Sequence, residues 1–567
     1  MPSRKPPAQN SRWLVLAVST LSGLLLWLAF KPVGWWPLAF LAPAGWLAMV
    51  RWQTLPGWRP YLMILLGAAV HWLLLLEGIR RAHPALYLGW FALAFYVAAY
   101  MPVFVGLTRM AVHRMRVSIV IAGPAIWVAL ELVRSHLLTG FSTGLIAHAL
   151  VNQTTLIQIA ELGGAYAVSF LVIFAAACLV RIWPRHGAPR TWRDGWPAVA
   201  LSIGLIAVVV YGKVRLAANP IDHAPADSVR VVMIQGGRDT VFDFDAEVTY
   251  ETYEDYWALT REALQLHEPV DLVIWPESAF TGLLPEFQRE GDALPDLGFE
   301  ISKKEFSQRL DERIELFQQK TRYAASVVND PQRNSTTSRP TCMLVGSESL
   351  VYSAEGVRRY NSALLLDAEG RVANRYYKTH PVMFGEYIPF GKTFPWIYKV
   401  TPMADGLASG REAVAFDIQG VRFSPNICFE STVPHLIRRQ VAELRQQGEM
   451  PDVLVNITND GWFWGSAILD HHFASNVFRA VENGRPLLIA ANTGISGWVD
   501  HRGRVRRFVP RREKQFLLAT VSSSQLLTQY QLVGDWLARV CFVFLVVTCG
   551  FGMRERWLDK RRNKSTE

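Results

Sequence analysis

The first two hundred residues form a succession of apolar runs separated by short polar or basic turns. The runs are Trp13–Phe30, Gly34–Val50, Tyr61–Leu76, Tyr87–Leu107, Val117–Val133, Leu156–Val180 and Trp196–Tyr211; an eighth, Trp536–Met553, stands near the end of the chain. A helix needs about 20 apolar residues to cross a hydrocarbon core. Most of the runs meet or approach that length. Gly34–Val50 and Tyr61–Leu76 are shorter and lean on Trp35, Trp36, Trp58 and Trp72 as interface anchors. One short run alone fits a buried core helix; seven in succession with aromatic flanks predict a membrane bundle. The first run lacks a small-x-small cleavage site and is followed at once by a second, which predicts an uncleaved helix rather than a signal peptide.

The pattern changes near residue 226. Short β-rich runs recur at Val229–Gln235, Val270–Trp275, Cys342–Gly346, Asn361–Leu366, Arg422–Cys428, Val453–Ile457 and Leu487–Ala491. Several are continuously apolar, as strands covered on both faces are. Helical periodicity lies between them at Glu247–Leu266, Thr432–Gln447 and Ala467–Asn483. Segment 281–340 is charged and polar, with a helix predicted around Lys303–Tyr323, and reads as an insertion or lid beside the sheet. The expected organisation is a seven-helix membrane bundle over 1–212, an α/β domain over 226–522, a last membrane helix over 533–553 and a basic tail over 554–567.

Composition sharpens this. Hydrophobic residues make up 51% of the 567 and charged residues 19%, which excludes a disordered chain, and five Cys exclude a disulfide scaffold. Net charge is +10. With the N-terminus cytoplasmic, the inner segments hold 18 Lys and Arg and the outer turns hold four, Lys31, Arg80, Arg81 and Arg134. The positive-inside rule then predicts eight spans, both termini inside and the α/β domain outside, with Lys213 and Arg215 as a local exception. The positive charge is thus topological, and a nucleic-acid partner is not expected.

Three strand ends carry unusual polar residues. Ile274-Trp275-Pro276-Glu277-Ser278 puts a carboxylate at the tip of an apolar strand. Tyr376-Tyr377-Lys378-Thr379-His380 is followed by Gly385-Glu386-Tyr387-Ile388-Pro389-Phe390-Gly391. Pro425-Asn426-Ile427-Cys428-Phe429-Glu430 ends an apolar strand on a cysteine. In open α/β sheets, ligands gather at carboxyl ends of strands. Each residue alone has an ordinary explanation as a core thiol or a solvated charge. Together they fit acyl transfer through a thioester. A thiol needs a base, for which Glu277 is the candidate. A developing oxyanion needs donors, which Lys378 and a backbone N–H at Cys428 or Phe429 would supply. Cys178, Cys541 and Cys549 fall in membrane runs, so Cys342 and Cys428 alone are in the outer domain, and a disulfide between them is the competing expectation. His471-His472 has no third ligand at a metal-site spacing and reads as surface or packing; no metal site is expected. Glu131, Glu161 and Arg539 are the main charges within the apolar runs and so candidates for a role there.

The order Glu277, Lys378, Cys428 with these flanks resembles the Glu-Lys-Cys triad of the nitrilase superfamily. A nitrilase-like domain preceded by seven membrane helices and followed by one resembles the apolipoprotein N-acyltransferase family of bacterial inner membranes. Asn459-Asp460-Gly461-Trp462-Phe463, Arg485-Pro486 and Asn492-Thr493-Gly494 also match it. The resemblance implies a periplasmic αββα sandwich on a polytopic bundle, in a multi-pass inner-membrane protein that acts as a monomer. It implies a ping-pong reaction without cofactor. A phospholipid acylates Cys428, and the thioester then acylates the N-terminal amine of a diacylglyceryl-cysteine apolipoprotein. Carried over, Glu277 is the base, Cys428 the nucleophile and Lys378 the stabiliser of the intermediate. Glu386 holds Lys378, and Phe429 and Glu430 shape the pocket, with Phe429 standing where the family often has Tyr. Phe242 or Phe244 takes the place of an aromatic after the first strand. Tyr387 and Trp462, with Trp464, Phe384, Phe390 and Phe394, are candidates for lipid contact. Two alternatives remain at this stage. One is a membrane-tethered amidase or nitrilase acting on small C–N substrates. The other is a transporter or receptor with an inactive nitrilase-like ectodomain.

Overall fold

Two prolines, Pro37 and Pro43, stand in the second apolar run, and a proline inside a helix removes a donor and clashes with the preceding turn. The run is accordingly interrupted into Leu38–Leu41 and Ala44–Arg51, each beginning just after a proline. The computed structural model describes residues 11–84, 86–183, 195–218, 228–240, 245–265, 269–291, 302–330, 339–389, 393–394, 406–524 and 526–564. The chain divides into two compact units. One holds residues up to 220, Ser466–Ala474 and Thr528–Glu567; the other holds Ile221–Gly465 and Ser475–Leu527.

Among the described residues of the first unit, five helices are long and apolar enough to cross a membrane: Arg12–Ala29, Leu86–His113, Ala165–Ile182, Trp196–Ala217 and Trp536–Asp559. Leu38–Arg51 and Arg59–Leu75 are apolar but shorter. Ile119–Arg134 has 16 residues, all but Ile121 and Val133 buried, and forms the middle of the bundle. The run Leu156–Val180 is not one helix. It breaks into Thr154–Ile157, Ala160–Gly163 and Ala165–Ile182, because Gly164 adopts φ +70 and the Tyr530 ring lies where its side chain would be. Several charges inside the bundle are engaged. Glu131 Oε1 accepts from Trp127 Nε1 at 3.0 Å and Ile146 N at 3.1 Å. Glu161 takes Arg215 at 2.5 Å and the Tyr211 hydroxyl, so Arg215 is placed by an ion pair. Arg109 Nη1 donates to the carbonyls of Met49 (2.8 Å) and Trp52 (2.7 Å), which satisfies orphan acceptors where Ala44–Arg51 ends. His471 is buried with its ring 5.7 Å from that of Phe30, a packing role.

The second unit is an αββα sandwich. Its strands are β1 (Ser228–Gln235), β2 (Leu272–Trp275), β3 (Glu286–Arg289), β4 (Cys342–Ser353), β5 (Gly356–Leu366), β6 (Val372–Tyr377), β7 (Phe416–Ile418), β8 (Val421–Ile427), β9 (Val453–Thr458), β10 (Leu487–Ala491), β11 (Ser496–Val499), β12 (Val505–Val509) and β13 (Gln515–Ser522). One sheet has the order β13-β1-β2-β4-β5-β6, with β3 also paired to β4; the other has the order β12-β11-β10-β9-β8-β7. Parallel strands form the centre of each, β1-β2-β4 and β8-β9-β10. The faces between the sheets are apolar. Val231, Met233, Ile274 and Leu344 from one meet Phe423, Ile427, Val455 and Ile457 from the other.

The outer face of the first sheet is covered by the helices Ala246–Leu264 and Lys303–Val328, whose Trp257, Phe317, Ala324 and Val328 join Val232, Val273 and Val345 in a second core. For the described helix of segment 281–340, this corrects the lid expectation. The helix Lys303–Val328 is a structural layer, and its polar character belongs to its outer face. The second sheet is covered by Pro434–Gln446 and by residues 475–483 of the helix Ile468–Asn483. Gln440 Nε2 donates to Ser424 Oγ at 2.9 Å, and the Arg479–Glu482 ion pair is fully buried at 2.6 Å.

Candidate active site

Pro276 has no backbone donor, so β2 stops at Trp275. The chain turns sharply there, with Ser278 at φ +60. Trp275 is anchored beneath the turn, fully buried, its Nε1 donating to Thr260 Oγ1 at 3.0 Å. Phe280 N donates to Gly346 O on β4 at 2.9 Å. Lys320, from the outer helix, donates to the carbonyl oxygens of Phe280, Thr281 (3.0 Å) and Leu284 (3.0 Å). Burial pushes its pKa down to about 7. The turn is thus tied from two sides, and Glu277 projects from it.

Both Glu277 oxygens are engaged. Oε1 accepts from Asn361 Nδ2 at 2.6 Å and lies 3.4 Å from Lys378 Nζ; Oε2 accepts from Asn459 N at 2.6 Å. Lys378 follows β6, which runs in the same direction as β2, so Glu277 and Lys378 leave the same end of one sheet. The Lys378 side chain is 1% exposed and its Nζ is 2.7 Å from Glu386 Oε1. Glu386 Oε2 accepts from Val382 N at 2.7 Å. Burial opposes the Lys378 charge, but Glu386 and Glu277 outweigh it and hold its pKa well above the ordinary value.

Cys428 follows β8 at φ +54, a left-handed conformation that costs a non-glycine residue about 1–3 kcal/mol. Such a turn thrusts the residue off the strand tip. Asn456 Nδ2 donates to the Cys428 carbonyl at 3.1 Å. Burial and the Glu277 carboxylate push the thiol pKa well above its ordinary value, against the pull of Lys378. These mutual effects place Cys428 within electrostatic range of both Glu277 and Lys378. None of the five cysteines is in a disulfide, so the Cys342–Cys428 bond expected as a competitor is not formed.

Glu430 has a different place from the one the sequence suggested. It is fully buried and is a junction rather than a pocket wall. Its carboxylate accepts from Ile427 N (2.7 Å), Thr379 N (2.7 Å), Thr379 Oγ1 (2.8 Å), His380 N (3.0 Å) and the Tyr376 hydroxyl (2.9 Å to each oxygen). It therefore bolts the turn after Lys378 to the strand before Cys428. Burial pushes its pKa up, against the Ile427 N–H. Phe429 is half-buried and stacks on His380, with centroids 6.2 Å apart and planes 16° apart. Tyr387 and Trp462 are half-buried on the loops after β6 and β9. Phe384, Phe394 and Trp464 are exposed. Phe242, Phe244 and Phe390 lie outside the described residues.

Asn361, Asn459, Gly346 and Lys320 were missed as site residues. Asn361 and Asn459 sat in quoted segments, and a polar residue in an apolar strand was the available signal for Asn361. Nothing in the sequence marks Lys320 or Gly346, whose roles depend on what packs against them.

The chain also matches known proteins along most of its length. The model of the apolipoprotein N-acyltransferase N-terminal domain matches residues 22–178, and that of carbon-nitrogen hydrolase matches residues 230–529. An apolipoprotein N-acyltransferase of Rhodopirellula baltica is 30% identical across 98% of this chain and 99% of its own length. One of Geobacter metallireducens is 31% identical across 95% of each. One of Methylococcus capsulatus is 26% identical across 78% of this chain and 76% of its own. The chain belongs to the apolipoprotein N-acyltransferase family, with a carbon-nitrogen hydrolase domain joined to an apolar helical bundle.

Proposed function

We propose that this protein transfers a fatty acyl chain from a phospholipid to the N-terminal amine of diacylglyceryl-cysteine apolipoproteins, through a thioester on Cys428. The observation that carries the reading is the cluster of Lys378 with Glu277 (3.4 Å) and Glu386 (2.7 Å) in the electrostatic surroundings of the strained Cys428 turn. Because the thiol pKa is raised, the nucleophile rests as S–H and needs a base at the moment of attack. Glu277 takes the Sγ proton as sulfur attacks the donor ester carbonyl. The oxyanion gathers on Lys378 N–H and the Phe429 backbone N–H, each donor being worth about 3–4 kcal/mol in such sites. Collapse breaks the ester C–O bond, and the leaving lysophospholipid oxygen takes the proton from Glu277. In the second half, the amine attacks the thioester and Glu277 accepts its proton; collapse breaks the C–S bond, and the leaving sulfur takes that proton back from Glu277 to restore the thiol. Glu386 fixes Lys378 between two carboxylates.

In this reading the protein sits in a bacterial inner membrane with eight spans, the sandwich in the periplasm and both termini cytoplasmic. The five long apolar helices support it, as do exposed tryptophans such as Trp35, Trp58 and Trp183. The basic residues Arg51, Arg109 and Arg114, which fall in or beside inner segments, agree with that orientation. The test is acyl transfer from phospholipid to a diacylglyceryl lipopeptide, read by mass. Cys428→Ala and Cys428→Ser should abolish the N-acyl product while the protein still folds in the membrane. Full activity in Cys428→Ala would defeat the mechanism.

A further inference from the structure

Arg134 closes the helix Ile119–Arg134, in the middle of the helical unit, and is 5% exposed. Its Nε and Nη2 are both buried and neither has a hydrogen-bond partner. These two nitrogens share one edge of the guanidinium, the edge that receives two oxygens of a single anion side by side. The other basic residues of the outer turns are differently placed. Arg80 and Arg81 pair with Glu77 at 3.7 and 2.8 Å. Glu131, one turn back, is the main counter-charge within electrostatic range of Arg134 but makes no ion pair with it; its Oε1 is taken by Trp127 and Ile146, and its Oε2 is buried without a hydrogen-bond partner. The guanidinium carbon lies over the Trp72 ring, 4.9 Å from its centroid. Tyr96 and Tyr100, hydroxyls 3.0 Å apart, also lie within electrostatic range.

A buried cation with two unused donors is costly unless something anionic sits on it. The surroundings say which anion. Just beyond Arg134, the turn through Leu137 and Leu138 exposes both leucines, 50% and 62%, and Phe141 N returns to donate to Arg134 O at 2.9 Å. Exposed leucines just beyond Arg134 fit the headgroup level of a bilayer, where the anion at hand is a phosphodiester.

We propose that Arg134 is the anchor of a phospholipid phosphate site in the helical unit, gripping the phosphodiester through Nε and Nη2 against the Trp72 face. In the acyl-transfer reaction this would be a binding site for the donor headgroup; that part rests on the function proposed above, whereas the phosphate site itself does not. The test uses the full chain in detergent micelles. Native mass spectrometry follows retention of dioleoyl-phosphatidylethanolamine and of dioleoylglycerol, which has the same chains and no phosphate. Arg134→Gln should weaken phospholipid retention about ten- to a hundredfold, the loss expected for charge-assisted hydrogen bonds. Arg134→Lys should recover part of it, and diacylglycerol retention should be the same in all three. Equal retention of phospholipid by wild type and Arg134→Gln, or equal loss of both lipids, would overturn the site. Displacement of the lipid by millimolar inorganic phosphate would overturn its assignment to a lipid headgroup. A kinetic arm measures acylation of Cys428. Arg134→Gln should raise KM for phospholipid about tenfold with kcat unchanged. A p-nitrophenyl ester of the same acyl chain should react as in wild type. No acylation of wild-type Cys428 by either donor would defeat the proposed function and leave the retention result to decide the site.

Discussion

Replacing Gly346 with alanine adds one methyl group and removes nothing, yet it should disable the site. Gly346 lies on β4 beneath the turn that carries Glu277. A Cβ there would stand 2.3 Å from Pro276 O, 2.5 Å from Glu277 Cα and 2.8 Å from Ser278 N, all of them backbone atoms. No side chain can swing away to relieve this. Ordinary contact begins at 3.4 Å, so the Glu277 backbone must retreat by about 0.9 Å. The turn has little room to retreat, since Lys320 holds it through three carbonyls and Phe280 N holds it to Gly346 O. A shift of that size would stretch the 2.6 Å bonds from Asn361 Nδ2 and Asn459 N beyond normal length. A displacement of about 1 Å can cost about a hundredfold in rate, or about 2.7 kcal/mol of barrier. The stability cost of overpacking is about 1–3 kcal/mol, which leaves the protein folded. The assay is the quenched-flow rate of acyl-Cys428 formation from phospholipid, with melting temperature measured alongside. Gly550→Ala, where nothing lies within 4 Å of the added carbon, is the control and should act as wild type. A Gly346→Ala rate within twofold of wild type would refute the claim that this backbone contact places Glu277.

Glu430→Gln should destabilise the sandwich by about 2–4 kcal/mol, because the new amide turns a donor toward buried N–H groups such as that of Ile427. A melting curve should show the loss, and an unchanged midpoint would contradict the junction role. Cys428 should alkylate slowly with iodoacetamide, with a rate that keeps rising beyond pH 9, since a raised thiol pKa leaves less thiolate at any lower pH than in a free cysteine. Glu277→Gln removes a charge that raises that pKa, so it should speed alkylation at pH 8 while slowing acyl transfer. A rate that levels off below pH 8, or both rates falling together in Glu277→Gln, would contradict the assignment.

The strands buried on both faces were legible because their apolar runs are continuous: β1, β2, β8, β9 and β10 lie where the pattern put them. The outer strands were not. β12 is mostly exposed and reads Val-Arg-Arg-Phe-Val, and β7 is three residues long, so neither offers a run that stands out from loop. The helix Lys303–Val328 was legible as a helix but not as a core layer. It buries a narrow stripe through Leu310, Phe317, Ala324 and Val328, and the charged remainder dominates its composition. In the proposed site, Glu277, Lys378 and Cys428 stand in the sequence as polar residues at the tips of apolar strands. Asn361 and Asn459 became visible as partners of Glu277 only when β5 and the β9 loop were seen beside β2. Glu430 shows the limit most plainly: adjacency to Cys428 suggested pocket, whereas its role is set by residues some fifty positions away, Tyr376, Thr379 and His380.

The most direct test of the central claim is the mass of the Cys428 peptide after the purified protein is incubated with phospholipid and no acceptor. The account predicts a long-chain acyl adduct on Cys428, released by neutral hydroxylamine and absent in Cys428→Ala. An unmodified Cys428, with ammonia released from small amides instead, would contradict it and make the protein a membrane-tethered amidase.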